Sequence, residues 1–139
     1  MSSNWVQDIN DMHAKFGVHD WVKNASQEDL KQYLIFRLAF LKEELDETFK
    51  AFGEKDPEEI VDGLIDLCVV AIGTLDAFEV NPYKAWDEVH NANMAKVVGV
   101  KPERPNPLGL PDLIKPEGWQ NPSHEGNHGI LDNILDNIQ

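Results

Sequence analysis

The sequence predicts an all-α fold, a four-helix-bundle-like core followed by a proline-rich C-terminal arm. Three observations carry this. Apolar residues recur with helical period along the first hundred positions, and start and stop residues cut that pattern into four segments. Six of the eight prolines, at 102, 105, 107, 111, 116 and 122, follow Gly99, where they exclude long helices and central strands. A chain of 139 residues has room for one core of ordinary size. Residues 1–99 therefore read as the helical domain and 100–139 as a Pro/Gly-rich arm.

Trp5, Ile9, Met12 and Phe16 form one apolar stripe that Gly17 ends. Ser26 caps a longer helix, with Asp29 at its third position as a loose capping box. Tyr33, Leu34, Leu38, Leu41, Leu45, Phe49 and Phe52 then repeat with helical period, from about Gln27 to Phe52. Asp56-Pro57 starts the third helix, since Asp caps orphan amides and proline suits the first helical position. From Ile60 to Leu75 nearly every side of that helix is apolar, which predicts a place at the centre of a bundle. Asn81-Pro82 repeats the start signal for a fourth helix running through Trp86, Val89, His90, Asn93, Lys96 and Val97 to Gly99. The arm closes on a short repeat that aligns Ile130, Ile134 and Ile138 on one side of a helix. Alone, so short a helix is marginal, and a neighbouring subunit is one candidate for the apolar surface it needs.

A net charge of −13 excludes broad binding to nucleic acid or to an anionic membrane, because the field repels phosphates at long range. A phosphate substrate then requires cations at its site. The single cysteine, Cys68, allows no internal disulfide and lies in an apolar run, so a reducing, cytoplasmic setting is expected. No stretch approaches eighteen uninterrupted apolar residues, and the N-terminal residues lack the parts of a signal peptide.

Glu43, Glu44 and Glu47 are three and four residues apart on the second helix and project toward one region. By itself that describes a solvated acidic face. Glu59, Asp62 and Asp66 weigh more, because they form one stripe on a helix otherwise built for burial. Burying unpaired carboxylates costs several kcal/mol each, so they need cationic partners or metal. Nearby bases are few: Arg37, Lys42, Lys50 and Lys55. Glu59 also fits a capping box after Asp56, and Asp66 a buried hydrogen-bonding role. Glu44, Glu47, Glu59 and Asp62 offer an all-oxygen site, which suits Mg²⁺ or Mn²⁺ better than Zn²⁺. Such ions bridge phosphate oxygens and activate water.

These residues resemble the MazG-like family of all-helical nucleoside triphosphate pyrophosphohydrolases, relatives of the dimeric dUTPases and of phosphoribosyl-ATP pyrophosphohydrolase. The family pattern, Glu-x-x-Glu then Glu-x-x-Asp, reads here as Glu44 to Glu47 and Glu59 to Asp62, with an eleven-residue spacer at the short end of the family range. His90-Asn91-Ala92-Asn93-Met94-Ala95-Lys96 and Lys115-Pro116-Glu117-Gly118-Trp119 are similar to segments of short, often phage-encoded members. The resemblance implies Mg²⁺-dependent cleavage of an NTP or dNTP to the monophosphate and pyrophosphate, in a homodimer or homotetramer. It implies Glu44, Glu47, Glu59 and Asp62 as metal ligands and Glu43 as the residue that orients or deprotonates water. Asn93 and Lys96, with His90 on the same face, would meet phosphates or sugar. Arg37 and Asp66 join the substrate-binding candidates, and Phe16, His19 and Trp21 are candidates for a base pocket.

Two other readings stand beside this one. A di-iron bundle needs Glu-x-x-His on two helices, and the sequence has it once, at Glu125 to His128 in the arm. A non-enzymatic acidic helical adaptor needs no site chemistry at all. Walker and Rossmann phosphate loops are absent from the sequence.

Overall fold

A computed structural model describes residues 1–101, 108 and 112–135. Its elements are α1 (Trp5–Lys15), α2 (Val18–Asn24), α3 (Gln27–Gly53), α4 (Pro57–Ala77), α5 (Pro82–Met94), β1 (Val97–Gly99), β2 (Asp112–Ile114) and α6 (Leu131–Leu135). The fold is all-α apart from one two-stranded ladder among the described residues. Pro102, Pro105, Pro107, Pro111 and Ile138, all used in the sequence reading, lie outside the described residues. The chain forms two compact units, Met1–Pro82 with His128–Gln139, and Tyr83–Asn127. None of the described helices is long and apolar enough to cross a membrane.

In the first unit the predicted caps are in place. Ser26 Oγ accepts from the Asp29 amide at 3.1 Å, and Asp56 Oδ1 accepts from the Glu59 amide at 3.1 Å. Lys55, with φ 57°, turns the chain between α3 and α4, which pack as a hairpin. Gly17 does end α1, but it leads straight into another helix. Its φ of 79° is a left-handed turn that glycine adopts without strain, and α2 follows at once. Seven residues are too few for helical periodicity to stand out in the sequence.

Val22, Leu30, Ala77, Phe78 and Ile134 make the core, with Tyr33, Leu34 and Ile130 packed against it. Ile130 and Ile134 of the terminal stripe thus cover their own unit's core. The Ile130 amide donates to the Phe78 carbonyl at 2.9 Å, and Ile134 is 1 % exposed. The expected central position of α4 is not reached within one chain. Its partners are α3, α1 and, to a lesser extent, α2, so Val61, Leu64 and Ile65 stay exposed. On α3, Ile35, Phe36, Leu38, Phe49 and Phe52 are exposed as well.

The second unit corrects the fourth helix, which stops at Met94 and not at Gly99. Val97, Val98 and Val100 are β-branched and favour extended backbone over another helical turn. β1 pairs antiparallel with β2, with Val97 opposite Ile114, Val98 opposite Leu113 and Gly99 opposite Asp112.

Candidate functional site

The acids of α3 and α4 act on one another electrostatically near the packing of Gly63 on Thr48, but among the described residues the one group of three ligand-type side chains close enough to share a metal ion is His13, His19 and Asp76. Gly63 is buried against Thr48, and a Cβ at position 63 would fall on the Thr48 hydroxyl. Thr48 Oγ1 in turn donates to the Glu44 carbonyl at 2.8 Å. A residue without a side chain on α4 therefore draws the two helices together at the level of Glu44. The carboxyl of Glu44 is raised above its ordinary range, first by burial and then by the negative charges of Glu47, Asp66, Glu43 and Asp62. Asp66 is raised too, by burial, by the charge of Asp62 and by a side-chain hydrogen bond with Asp62.

The charges of Glu47 and Asp62 thus act on Glu44, and that of Asp62 on Asp66; Glu44 and Asp66 are half-buried, whereas Glu47 and Asp62 are exposed, against the burial expected for the acids of α4. Among the described residues, no lysine or arginine forms an ion pair with any of the four. Lys42 pairs with Asp46 at 3.2 Å and Lys50 with Glu54 at 3.9 Å. Arg37 donates to the Val70 carbonyl at 2.9 Å and to Thr74 Oγ1 at 3.0 Å, so its guanidinium ties α3 to the backbone of α4. Oxygen ligands gathered without a countercharge fit a hard divalent cation. Glu43 is exposed and borders, with Glu47, a shallow hollow on α3. Glu59 is exposed in the first turn of α4, with its amide taken by Asp56, and it is not among the charges that raise Glu44 or Asp66.

His90, Asn93 and Lys96 belong to the second unit. His90 and Asn93 are exposed, and Lys96 holds its ammonium 5.5 Å from the centre of the Trp119 ring. Trp21 lies 5.1 Å from the Tyr33 ring, and Tyr33 lies 5.8 Å from Phe78, so both rings belong to the wall of the core. Phe16 remains 71 % exposed.

A polar cluster that the sequence reading did not find sits between α1, α2 and α4. Asp76 accepts from Asn10 Nδ2 at 2.8 Å and meets His13 Nδ1 at 2.7 Å and His19 Nε2 at 2.8 Å. Burial alone would raise the Asp76 carboxyl, but hydrogen bonds from Asn10, His19 and His13 outweigh it and hold the group below its ordinary range. The three ligand-type side chains lie within 4.8 Å of one another. Their hydrogen bonds already satisfy the facing imidazole nitrogens and the carboxylate, unlike the uncompensated acids of α3 and α4. No local pattern links positions 10, 13 and 19 with 76, so only the folded chain shows them together.

No curated protein matches the chain. The family model described as phosphoribosyl-ATP pyrophosphohydrolase matches residues 20–93, which take in all of α3 and α4 and most of α5. That match spans more than half of the chain, and the protein belongs to the phosphoribosyl-ATP pyrophosphohydrolase family, a branch of the MazG-like all-α pyrophosphohydrolases.

Proposed function

We propose that the protein hydrolyses an NTP or dNTP to the monophosphate and pyrophosphate with Mg²⁺, which Mn²⁺ can replace. The observation that carries the reading is the group of Glu44, Glu47, Asp62 and Asp66, with which no lysine or arginine among the described residues forms an ion pair. These four are the proposed metal ligands, Asp66 standing where the motif alone suggested Glu59. The bound cation would offset the charge of the polyphosphate and lower the pKa of water. Glu43, one residue before Glu44 and open to solvent, is suited to orient that water and take its proton. The water oxygen adds to phosphorus, the α–β anhydride bond breaks, and pyrophosphate leaves. Asn93, Lys96 and His90 are the proposed contacts to the sugar and phosphates.

The exposed apolar faces of α3 and α4 support a homodimer, or a pair of dimers, as the working form. The acidic surface supports a free nucleotide as partner over a nucleic acid or membrane, and a cytoplasmic location follows from the lone cysteine. The test is a panel of NTPs, dNTPs and phosphoribosyl-ATP with Mg²⁺, with the products separated. Monophosphate plus pyrophosphate is expected from NTPs or dNTPs. Release of pyrophosphate from none of them would return the protein to the acidic adaptor reading, and cleavage of phosphoribosyl-ATP alone would move the substrate.

A further inference from the structure

The arm carries a motif that the proposed chemistry leaves unused, Lys115-Pro116-Glu117-Gly118-Trp119. Its local structure is a tight turn. The Trp119 amide donates to the Pro116 carbonyl at 3.0 Å, and Gly118, with φ 79°, supplies the left-handed residue that closes it. The turn brings the Trp119 ring back beside Lys115, whose ammonium lies 4.9 Å from the ring centre. The indole N–H donates to the Ala92 carbonyl in the last turn of α5 at 2.7 Å, so the ring is held in one orientation.

The ladder supplies the second lysine. Lys96 and Lys115 are the residues just outside the outermost pair of the ladder, Val97 opposite Ile114. Both ammonium groups therefore stand by one indole, Lys96 at 5.5 Å and Lys115 at 4.9 Å from its centre. Neither lysine forms an ion pair among the described residues, although the chain carries 25 acidic residues against 12 lysines and arginines. Two ammonium groups at one ring, neither paired with a carboxylate among the described residues, make on such an acidic protein an arrangement that a multiply charged anion would stabilise.

We propose that Lys96, Lys115 and Trp119 form a binding site for the polyphosphate chain of a nucleotide, which makes Lys115 a substrate-binding residue; this rests on the pyrophosphohydrolase reading above. A polyphosphate has several anionic oxygens along its length and engages two ammonium groups at once, whereas a lone carboxylate satisfies one. Trp119 is the positioning element. Its anchored ring holds both lysine heads in place before the anion arrives, which reduces the ordering cost of binding.

The experiment titrates the full chain with inorganic tripolyphosphate in excess EDTA by calorimetry, so that binding is read without metal and without turnover. The wild type is expected to bind. Lys115→Ala should weaken binding ~10-fold, Lys115→Arg should retain most of it, and Lys23→Ala, an exposed lysine of α2, should leave it unchanged. With nucleotide and Mg²⁺, Lys115→Ala should raise KM more than it lowers kcat. Circular dichroism checks that each variant is folded. The site is overturned if the wild type does not bind tripolyphosphate, if Lys115→Ala binds it as tightly as the wild type, or if Lys23→Ala loses as much. Tripolyphosphate binding that depends on Lys115, without hydrolysis of any nucleotide, would keep the site and discard the pyrophosphohydrolase reading. Hydrolysis with tripolyphosphate binding indifferent to Lys115 would do the reverse.

Discussion

Thr48 occupies with its hydroxyl the space that a side chain at Gly63 would need, so α3 and α4 approach as closely as they do because position 63 has none. The contact lies one helical turn from Glu44, whose carbonyl accepts from the same hydroxyl. Gly63→Ala should therefore cost roughly 1–3 kcal/mol of stability by overpacking, and it should lower turnover by moving the carboxylates of the two helices apart. Thr48→Ala in the same chain should restore much of both losses. Urea denaturation and initial rates on the two variants decide it; a Gly63→Ala protein with unchanged midpoint and rate would show that the approach is not constrained there.

The proposed ligand set makes a prediction that separates Asp66 from Glu59. Glu47→Gln, Asp62→Asn and Asp66→Asn should each lower turnover ~10²-fold or more, since each removes charge from the group that would hold the metal. Glu59→Gln should retain activity within about threefold. Excess EDTA should abolish hydrolysis, and Zn²⁺ should restore it poorly. An inactive Glu59→Gln together with an active Asp66→Asn would reinstate the motif's own assignment. Activity undiminished by EDTA would remove the metal altogether.

Asp76 should contribute to acid stability with a definite sign. Its carboxyl is held below the ordinary range when folded, so it binds fewer protons in the folded than in the unfolded chain. The resulting stabilisation is present above the unfolded pKa and is lost as pH falls through the folded one. Glu44 and Asp66 are shifted the other way and oppose this trend, so the comparison must isolate Asp76. Asp76→Asn should be less stable than wild type by about 1–3 kcal/mol near neutrality, and the gap should narrow as pH drops below the ordinary Asp value. Urea midpoints measured from pH 6 to pH 2 give both curves. A gap that stays constant throughout would mean that the ionisation of Asp76 is not what the histidines and Asn10 stabilise.

The open faces of α3 and α4 predict assembly. Phe36, Phe49 and Phe52 are 60 %, 68 % and 74 % exposed, and with Val61 and Leu64 they leave far more apolar surface uncovered than scattered surface residues would. Light scattering after size exclusion should give a multiple of 15.8 kDa at micromolar concentration, and Phe49→Lys should shift it toward that mass. A wild type of 15.8 kDa under those conditions would refute the oligomer.

Much of the first unit was legible because its signals are local. Ser26 and Asp56 cap α3 and α4 as read, and the apolar periods between them run where the helices run. The all-α class and the acids of α3 and α4 as the candidate site follow from the same short-range rules, in which a side chain within a turn or two decides the backbone. The failures are also physical. The fourth helix was carried past Met94 because Lys96 continues its polar spacing, whereas the β-branched run after it pairs with β2, a partner distant in sequence.

The sequence by itself determined the helical architecture, the acidic pairs on two successive helices and the need for cations around any phosphate, since each depends on residue type and spacing. Only the tertiary structure shows that the charges of Asp66, Asp62 and Glu47 act on Glu44. It also decided that Ile130 and Ile134 pack with Phe78, that Asp76 gathers two histidines, and that Lys96 and Lys115 come to one indole ring. Each of these depends on the rotation of a helix about its axis, or on the register of a distant segment. Both are set by how whole faces pack and by a single glycine facing a threonine, and no local pattern encodes that.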